Sequence, residues 1–461
     1  MRILLIVLDK ESYINPFPLS VGYLVSAIRD RSYNDITIYN QEVYHFKDED
    51  IKKFIEDGKF DVLGVGIYGY QQYRKAVSLF NHINASKHRP LIVLGSHGPS
   101  AAPDFFIKKF QADVVVMGEG EVVFCNLLDA FAAKRSLSQV KGIAYRNGSQ
   151  IFVNEREPLI RNLDSVSFPA WDLFPIEHYV LEKHISAKHT DRCMSVLASR
   201  GCMYSCNFCY RMYKGYRLRS TENVIEEIKM LKKDYYVTHI TFVDENLMCT
   251  EKHAMKFSES MRKANIGVQW NCMGRLSTAK PHILKAMKEA GCVYVNYGIE
   301  SLDQKVLDAM NKDQTVEEAF TGVENTIKAG LLPGLNIISG SPGETRESIK
   351  KGAEFLRKYN LSVQVRTIKP ITPYPGTEFF KLAVKKNLLK DIEDFYDKYQ
   401  NTDRITVNLT DMTEQDFYEA LYEANKIVLE DYYEKVKENS IEAFRKCYFE
   451  GDVSFRGPRH R

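Results

Sequence analysis

The chain has 461 residues, a length that suits two or three domains. Its 63 basic and 60 acidic residues nearly balance, which argues against nucleic acid as a partner because such a surface needs a basic excess. No apolar run approaches the length of a membrane-spanning helix, so no membrane span is expected. Nine cysteines, an odd number in a long chain, do not resemble a disulfide framework, and we expect a cytoplasmic protein with reduced thiols.

The N-terminal part alternates between short apolar runs and helical patterns. Runs of this kind are typical of parallel strands buried on both faces, and they cover residues 2–8, 35–39, 62–67, 91–94 and 113–117. Helical segments such as 19–29 and 70–84 lie between them. The pattern predicts a doubly wound α/β domain over residues 1–140, of either the flavodoxin-like or the Rossmann type. Ligands of such sheets bind at the carboxyl ends of the strands.

The loops after three of these strands are rich in glycine, which lets the backbone approach a ligand closely. The first, GIYGYQ, contains Tyr68, and the second, GSHGPSAAPD, begins at Gly95. The third is GEGE, which begins at Gly118. No G-x-G-x-x-G follows the first strand and no P-loop is present, so a nicotinamide or flavin dinucleotide is not indicated.

A second alternating pattern follows a connector, residues 141–188, that is rich in proline and turn residues. Its predicted strands cover residues 194–198, 239–243, 267–271, 293–299, 334–338 and 364–368. Helical segments such as 221–232, 251–263 and 345–359 separate them. Six such units predict a partial (β/α)6 barrel of the TIM type over residues 189–385. Residues 386–461 are predicted to form a helical region that ends in the basic tail RGPRHR.

Three cysteines, Cys202, Cys206 and Cys209, stand at the spacing C-x3-C-x2-C after the first predicted barrel strand. A structural zinc site requires four ligands. Four other cysteines could supply the fourth, but none of them forms a second closely spaced pair: Cys193, Cys249, Cys272 and Cys292. Full protein ligation of a [4Fe–4S] cluster takes four thiolates. Three thiolates leave one iron with an open position, where a small chelating molecule can bind. We favour the cluster, and zinc remains the alternative.

The segment CMYSCNFC resembles the signature of the radical S-adenosylmethionine (SAM) enzymes, C-x3-C-x-aromatic-C. The resemblance continues in order through FVDENLM, NCMGRL, VNYGIES, NIISGSPGET and PITPYPGTEF. It implies that the three cysteines hold a [4Fe–4S] cluster and that SAM fills the open position. The SAM-binding residues that it implies are Phe208, Asp244, Glu245, Arg275, Glu300, Ser301, Ile338 and Gly340. In the fifth-strand segment NIISGSPGET, the acidic residue Glu344 stands one position later than the acid in the simplest form of the family motif.

The α/β domain ahead of this barrel is similar to that of the cobalamin-dependent branch of the family. The loop GSHGPSAAPD resembles the motif G-G-x-H-x-T-x-x-P-E, with Ser96 for the second glycine and Ser100 for the threonine. The resemblance implies that cobalamin is bound by Tyr68, Gly95, Ser96, His97, Gly98, Gly118, Glu119 and Gly120. The motif D-x-H-x-x-G is absent, and His45 lacks its Asp and Gly, so we expect cobalt without a histidine lower ligand.

The resemblance favours a methyltransferase that acts on an unactivated carbon of a small molecule, lipid or peptide, with a reductant such as flavodoxin or ferredoxin. One alternative is a radical oxidative cyclase or rearrangement enzyme like the anaerobic tetrapyrrole cyclases, and another is a zinc or electron-transfer iron–sulfur protein. Methylthiolation would want a second cysteine triplet, which the sequence lacks. Arg217 and Arg219 are expected in plain salt bridges, Tyr213 and Tyr216 at the barrel mouth, and no catalytic residue is assigned.

Overall fold

A computed structural model describes residues 1–10, 12, 15–213, 215–361, 364–399 and 403–453. The basic tail RGPRHR lies outside the described residues. The strands are β1 (Ile3–Val7), β2 (Ile36–Asn40), β3 (Val62–Gly66), β4 (Leu91–Gly95), β5 (Val114–Val116), β6 (Ile143–Asn147), β7 (Gln150–Val153), β8 (Cys193–Val196), β9 (Ser199–Cys202), β10 (Gly215–Leu218), β11 (His239–Phe242), β12 (Gln269–Gly274), β13 (Cys292–Glu300), β14 (Leu332–Ser339) and β15 (Lys369–Pro370).

The helices lie between these strands and at the C-terminus. They are α1 (Leu19–Asp30), α2 (Gln41–Tyr44), α3 (Asp50–Gly58), α4 (Tyr70–Ile83), α5 (His97–Ala101), α6 (Pro103–Phe110), α7 (Gly120–Ala132), α8 (Ile176–Tyr179), α9 (Thr221–Tyr235), α10 (Glu251–Ala264), α11 (Pro281–Glu289), α12 (Gln304–Ala309), α13 (Val316–Lys328), α14 (Arg346–Tyr359), α15 (Glu378–Lys385), α16 (Ile392–Lys398) and α17 (Glu414–Glu450).

The N-terminal sheet has the strand order β2-β1-β3-β4-β5-β6-β7. Its first five strands run parallel, so the predicted doubly wound domain is confirmed, and its order is the flavodoxin-like one. The sheet continues with β6 and β7, which pair antiparallel beyond β5. Part of the segment predicted as a connector therefore extends this sheet. The carboxyl ends of β3, β4 and β5 present the glycine-rich loops along one edge.

The second sheet is a parallel half barrel with the order β8-β11-β12-β13-β14-β15, which confirms the predicted partial barrel. The sixth strand is misplaced in the sequence prediction: residues 364–368 are not a strand, and only Lys369–Pro370 pairs with β14. The reason is a tertiary contact. The Asn425 side chain of α17 accepts a hydrogen bond from the Ile368 amide at 2.7 Å and donates to its carbonyl at 3.0 Å, so a side chain takes the place of a neighbouring strand.

The C-terminal segments join the two domains. Residues of α16 pack into the core of the N-terminal domain, where the rings of Tyr396 and Tyr73 stack with their centroids 4.4 Å apart. The long helix α17 packs its N-terminal half on the core of the half barrel through Phe417 and Leu421. These contacts hold the carboxyl ends of both sheets toward a shared space.

Candidate functional site

The cysteine loop is framed by a two-stranded antiparallel hairpin, in which Cys202 at the end of β9 is opposite Gly215 at the start of β10. Gly201 has a φ of 85°, and a Cβ there would collide with the Gly215 carbonyl oxygen, so this position requires glycine. The loop is fixed from the other side by the end of α12. The Asn207 amide donates to the Met310 carbonyl at 2.9 Å, and its side chain donates to Ala309 at the same distance.

The three cysteines line one cavity of about 510 Å³ at the carboxyl ends of the barrel strands. A hydrogen bond between the Cys206 and Cys209 thiols lowers the pKa of Cys206, as do the charges of Lys312 and Arg275, and the same hydrogen bond raises the pKa of Cys209. The nearby cations suit an anionic iron–sulfur cluster.

The arrangement differs from that of a zinc site. Within the described part of the chain, no three His, Cys, Asp or Glu side chains are placed to hold a single metal ion. The four cysteines that could have completed a zinc site do not line this cavity, and all four are buried elsewhere: Cys193, Cys249, Cys272 and Cys292. Three thiols on one cavity wall fit an iron–sulfur cluster better than a single metal ion.

Two cations, one of which sequence reasoning missed, stand beside the cysteines. Arg275 lines the cavity, donates to the Lys312 carbonyl and to the Asp313 carbonyl at 2.6 Å, and lies 3.5 Å from the centre of the Tyr204 ring. Lys312 also lines the cavity, with its ammonium 2.7 Å from a carboxylate oxygen of Glu300. Lys312 belongs to no motif, since it lies in the turn after α12, and only the fold brings it to the site.

Glu300 occupies a special place at the end of β13. Its φ is 64°, and the register of β13 against β14 shifts between Gly298 and Glu300, which turns the carboxylate into the cavity. A Cβ on Gly298 would collide with the Glu300 carboxylate and approach the Lys312 nitrogen to 2.8 Å. The pair therefore depends on a glycine two residues earlier.

The predicted SAM-binding residues separate into two groups. Five of them line the cysteine cavity: Phe208, Glu245, Arg275, Glu300 and Ile338. The other three do not line it: Asp244, Ser301 and Gly340.

The three that do not line the cavity have structural contacts. Asp244 is buried, and its carboxylate accepts from the Ser199 hydroxyl and from the Ala198 amide at 3.1 and 3.2 Å. The Ser301 hydroxyl caps the following turn through the Asp303 amide at 3.2 Å.

The end of β14 is held by a buried carboxylate. Glu344 accepts hydrogen bonds from the Gly340 amide and from the Ser339 hydroxyl, the latter at 2.9 Å. Burial raises the pKa of Glu344 to about 7. Glu344 and Gly340 thus shape the end of the strand from behind the cavity wall.

A second cavity, of about 430 Å³, lies under the glycine-rich loops of the N-terminal domain. Seven of the eight predicted cobalamin-binding residues line it: Tyr68, Gly95, Ser96, His97, Gly118, Glu119 and Gly120. The eighth, Gly98, lines the cysteine cavity instead. The cavity continues down between the sheet and helices α1 and α7, past Leu5, Gly64 and Phe124. Its depth suits the nucleotide tail of a corrinoid.

Ser96 stands where the family motif has glycine, yet its φ of 80° and ψ of −168° lie in a region that glycine favours. The loop therefore keeps the backbone shape of the motif at the cost of strain in a serine. Gly118 in the next loop also has a positive φ, of 100°, and a Cβ there would meet nothing closer than a ring atom of Tyr213 at 3.9 Å.

The two cavities meet at three residues that line both of them, Tyr68, His97 and Glu245. The rings of Tyr68 and His97 are in edge contact with centroids 4.4 Å apart. Burial lowers the pKa of His97 to about 4, and its Nδ1 is buried without a hydrogen-bond partner in the described structure. Burial also raises the pKa of Glu245. His45 is not one of the residues that line the second cavity, and its ring is 2.8 Å from the Asp9 carboxylate.

Arg217 and Arg219 form salt bridges, as expected, and so does Arg200, for which no prediction was made. Arg217 pairs with Glu119 at 2.9 Å, and Arg200 pairs with the same carboxylate at 2.8 Å, which joins the hairpin to the GEGE loop beside the second cavity. Arg219 forms a fully enclosed pair with Glu227 at 2.5 Å. Glu119 thus links the N-terminal domain to the cysteine hairpin.

Fold and site together define a class of protein, in which a flavodoxin-like domain and a cysteine-bearing half barrel present adjoining cavities. The B12 binding domain family model matches residues 8–128, and the Radical SAM superfamily model matches residues 196–356. The chain belongs to the cobalamin-dependent radical SAM enzymes, which bind a [4Fe–4S] cluster, SAM and cobalamin. An enzyme of this class requires a reductant.

Similar proteins extend along nearly the whole chain. An uncharacterized methyltransferase of Pyrococcus horikoshii is 29% identical over 98% of this chain and 99% of its own length. An anaerobic magnesium-protoporphyrin IX monomethyl ester cyclase of Rubrivivax gelatinosus is 24% identical over 96% of this chain and 82% of its own length.

A solved structure shares the fold. The radical SAM methyltransferase TsrM from Kitasatospora setae, solved with cobalamin and a [4Fe–4S] cluster, superposes with a TM-score of 0.67 at 16% identity, over 84% of this chain and 75% of TsrM. Among the described residues of this protein, every helix is too short or too polar to cross a membrane.

Proposed function

We propose that this enzyme methylates a carbon atom that lacks the electron pair needed for ordinary polar methylation. The observation that carries the proposal is the junction of the two cavities at Tyr68, His97 and Glu245. A substrate at that junction would face both cofactors. The name of the Pyrococcus relative, a methyltransferase similar over 98% of this chain, supports the same reaction. The substrate class is a small molecule, lipid or peptide, and a cytoplasmic location with reduced thiols is part of the proposal.

When bound, the cluster with SAM supplies a 5′-deoxyadenosyl radical and the corrinoid supplies a methyl group. The chain contributes position and shielding. Cys202, Cys206 and Cys209 would hold the cluster, while Glu300 and Lys312 offer one acceptor and one donor to the amino and carboxylate groups of SAM. Arg275 holds the turn that carries Lys312 through two carbonyl contacts.

Aromatic side chains near the junction would exclude water. Phe208 packs at 6.5 Å from Phe379 on the cluster side, and Tyr210 lies 5.7 Å from His97. A His97 with a pKa of about 4 stays uncharged at neutral pH, so it adds no charge to the junction, and its unpartnered Nδ1 is available to a polar group of the corrinoid.

A second candidate reaction, oxidative cyclisation, is favoured by the Rubrivivax cyclase, which is similar over 96% of this chain. The two reactions differ in their products from SAM. Methylation forms S-adenosylhomocysteine together with 5′-deoxyadenosine, whereas cyclisation forms only 5′-deoxyadenosine.

The test is anaerobic reconstitution with iron, sulfide and cobalamin, followed by SAM and a flavodoxin or ferredoxin reductant. We expect the brown colour of the cluster, bound cobalamin and both SAM products. Cys206→Ser should abolish the colour and both products, while the control Cys447→Ser, in the distant helix α17, should keep them. Formation of 5′-deoxyadenosine without S-adenosylhomocysteine would refute methylation and favour cyclisation.

A further inference from the structure

The inner face of the half barrel carries polar side chains, whereas the interiors of closed barrels are filled mainly by Val, Ile and Leu. Neighbouring strands each contribute one such residue: Ser195 on β8, Thr241 on β11, Asn271 on β12, Asn296 on β13 and Asn336 on β14. Polar groups in an interior lower stability unless they are hydrogen-bonded. A polar layer shared by five strands therefore calls for a ligand or a network.

A cavity of about 300 Å³ opens on this layer toward the amino ends of the strands. Its walls include Ser195, Thr241, Asn296, Tyr294 and Arg366. Arg366 comes from the segment predicted as the sixth strand, and the contacts of Ile368 with Asn425 hold that segment away from the sheet. The guanidinium thereby reaches the inside of the barrel.

Arg366 is held there by uncharged groups. One nitrogen donates to the Asn336 side-chain oxygen at 2.8 Å, another donates to the Tyr294 hydroxyl, and Asn336 in turn donates to Asn296 at 3.0 Å. A Cβ on Gly334 would collide with both Tyr294 and Asn296, so a glycine keeps space for this network. The guanidinium has five N–H donors, and the two it uses here fix its plane.

Other charged side chains also line this cavity, but none of the described ion pairs joins Arg366 to a carboxylate. Glu182 lies 3.9 Å from His178, and Lys183 donates to the Asp191 carbonyl. His184 also lines the cavity, and burial together with the charges of His239 and Arg366 lowers its pKa to about 4, so it is neutral at physiological pH. The cavity wall therefore presents one oriented, unneutralised guanidinium.

This polar cavity lies under the cysteine cavity in the same barrel interior. Asn296 and Asn336 precede Gly298 and Ile338 by two residues on their strands, and the latter two line the cysteine cavity. Two residues of a strand span about 7 Å. The Asn296 side chain also lies 3.9 Å from the sulfur of Met273, which lines the cysteine cavity.

We propose that Arg366 binds an oxyanionic group, a carboxylate or a phosphate-type group, at one end of a small polar substrate whose other end reaches the cysteine cavity, about 7 Å further along the strands. The inference rests on the proposed function and narrows its substrate class. A lipid or another largely apolar substrate would leave this guanidinium without an anionic partner.

The test measures binding of two probes, methylphosphonate and succinate, to the reconstituted holoenzyme with SAM present, by calorimetry. We expect at least one of the two anions to bind. The anion with the higher affinity shows whether the substrate carries a phosphate-type group or a carboxylate. Arg366→Gln should weaken that binding by about 10- to 100-fold, the usual value of a charge-assisted hydrogen-bonded pair. Arg366→Lys should give an intermediate loss, because it keeps the charge without the planar fork.

The matched control is Arg357→Gln on the exposed face of α14, which removes the same charge and should leave anion binding unchanged. Tyr294→Phe removes only the hydroxyl that orients Arg366 and should weaken anion binding several-fold. This variant replaces Arg366→Gln in the test if Arg366→Gln does not fold. Wild-type protein that binds neither anion, or equal binding by wild type and both Arg366 variants, would overturn the inference.

Failure of the inference differs from failure of the proposed function. Holoenzyme that forms 5′-deoxyadenosine and S-adenosylhomocysteine but binds neither anion refutes only the substrate class. Protein that binds an anion through Arg366 but takes up no cluster or cobalamin refutes the proposed function and leaves the anion site in place.

Discussion

Replacement of Lys312 by methionine should destabilise the half barrel strongly, because it leaves the Glu300 carboxylate without its partner. The ammonium is 2.7 Å from the carboxylate, and the two side chains are only 8% and 10% exposed. Removal of one partner from a buried pair costs about 3–5 kcal/mol, and water in the cavity places this pair near the lower value. A loss of about 3 kcal/mol corresponds to a fall of about 6–12 °C in the unfolding midpoint of a domain of this size.

The assay is thermal unfolding of the reduced protein without cofactors, followed by circular dichroism. Lys305→Met, an exposed lysine on α12, is the control for loss of a positive charge and should change the midpoint little. The double variant Lys312→Met with Glu300→Gln should recover most of the lost stability, because it removes both charges. Its affinity for SAM should nevertheless remain low. A single Lys312→Met variant that melts within about 2 °C of wild type would refute the reasoning, because the pair would then contribute less than about 1 kcal/mol.

Three further predictions follow from other parts of the site. Because burial raises the pKa of Glu344 from 4.5 to about 7, the folded state holds a proton that the unfolded state has released, so stability should fall as pH rises across that window. Glu344→Gln should flatten the dependence of the unfolding midpoint on pH, and an unchanged slope would contradict this prediction. Gly64→Ala places a methyl group 2.7 Å from Leu5 inside the second cavity, and it should reduce cobalamin uptake, read from corrin absorbance, while the cluster content stays normal. Asn425→Leu removes two hydrogen bonds to Ile368 and should lower the free energy of unfolding by about 2 kcal/mol. It should also speed amide hydrogen exchange in the segment that carries Arg366, and unchanged exchange there would contradict the role of this contact.

Most of the fold could be predicted from the sequence because buried parallel strands are continuous apolar runs and their helices have clear start signals. The predicted helix 345–359 matches α14 apart from its first residue, since Thr345 is the N-terminal cap and pairs with Ser348. The sixth barrel strand could not be predicted correctly. Residues 364–368 include three β-branched residues, which favour a strand, but their pairing depends on Asn425, some 60 positions later in the chain. Such a contact leaves no local signal.

The site shows the same division between local pattern and tertiary placement. The cysteine triplet is a local pattern, and the structure gathers its three thiols on one cavity. Asp244 and Glu245 are adjacent in one motif, but neighbouring residues at a strand end face opposite ways, so only Glu245 reaches the cavity while Asp244 binds the Ala198 amide. Lys312 shows the converse, a site residue outside every motif that only the position of α12 reveals.

The polar layer of the barrel could be detected in part from the sequence, and the limit has a physical origin. Thr241, Asn271 and Asn296 each interrupt an apolar strand at a position whose neighbours two residues away share its face, so each residue alone indicates a polar point on the inner surface. Strand register decides where these points lie along the barrel. It places Thr241 opposite Asn271 and Asn271 opposite Tyr294, so Asn296 lies two residues further along β13, opposite Met273. A slip of one residue would turn one of these side chains outward and break the layer. The register that closes the half barrel is therefore also what assembles the surface around Arg366, and substrate recognition and barrel formation depend on the same strand pairing.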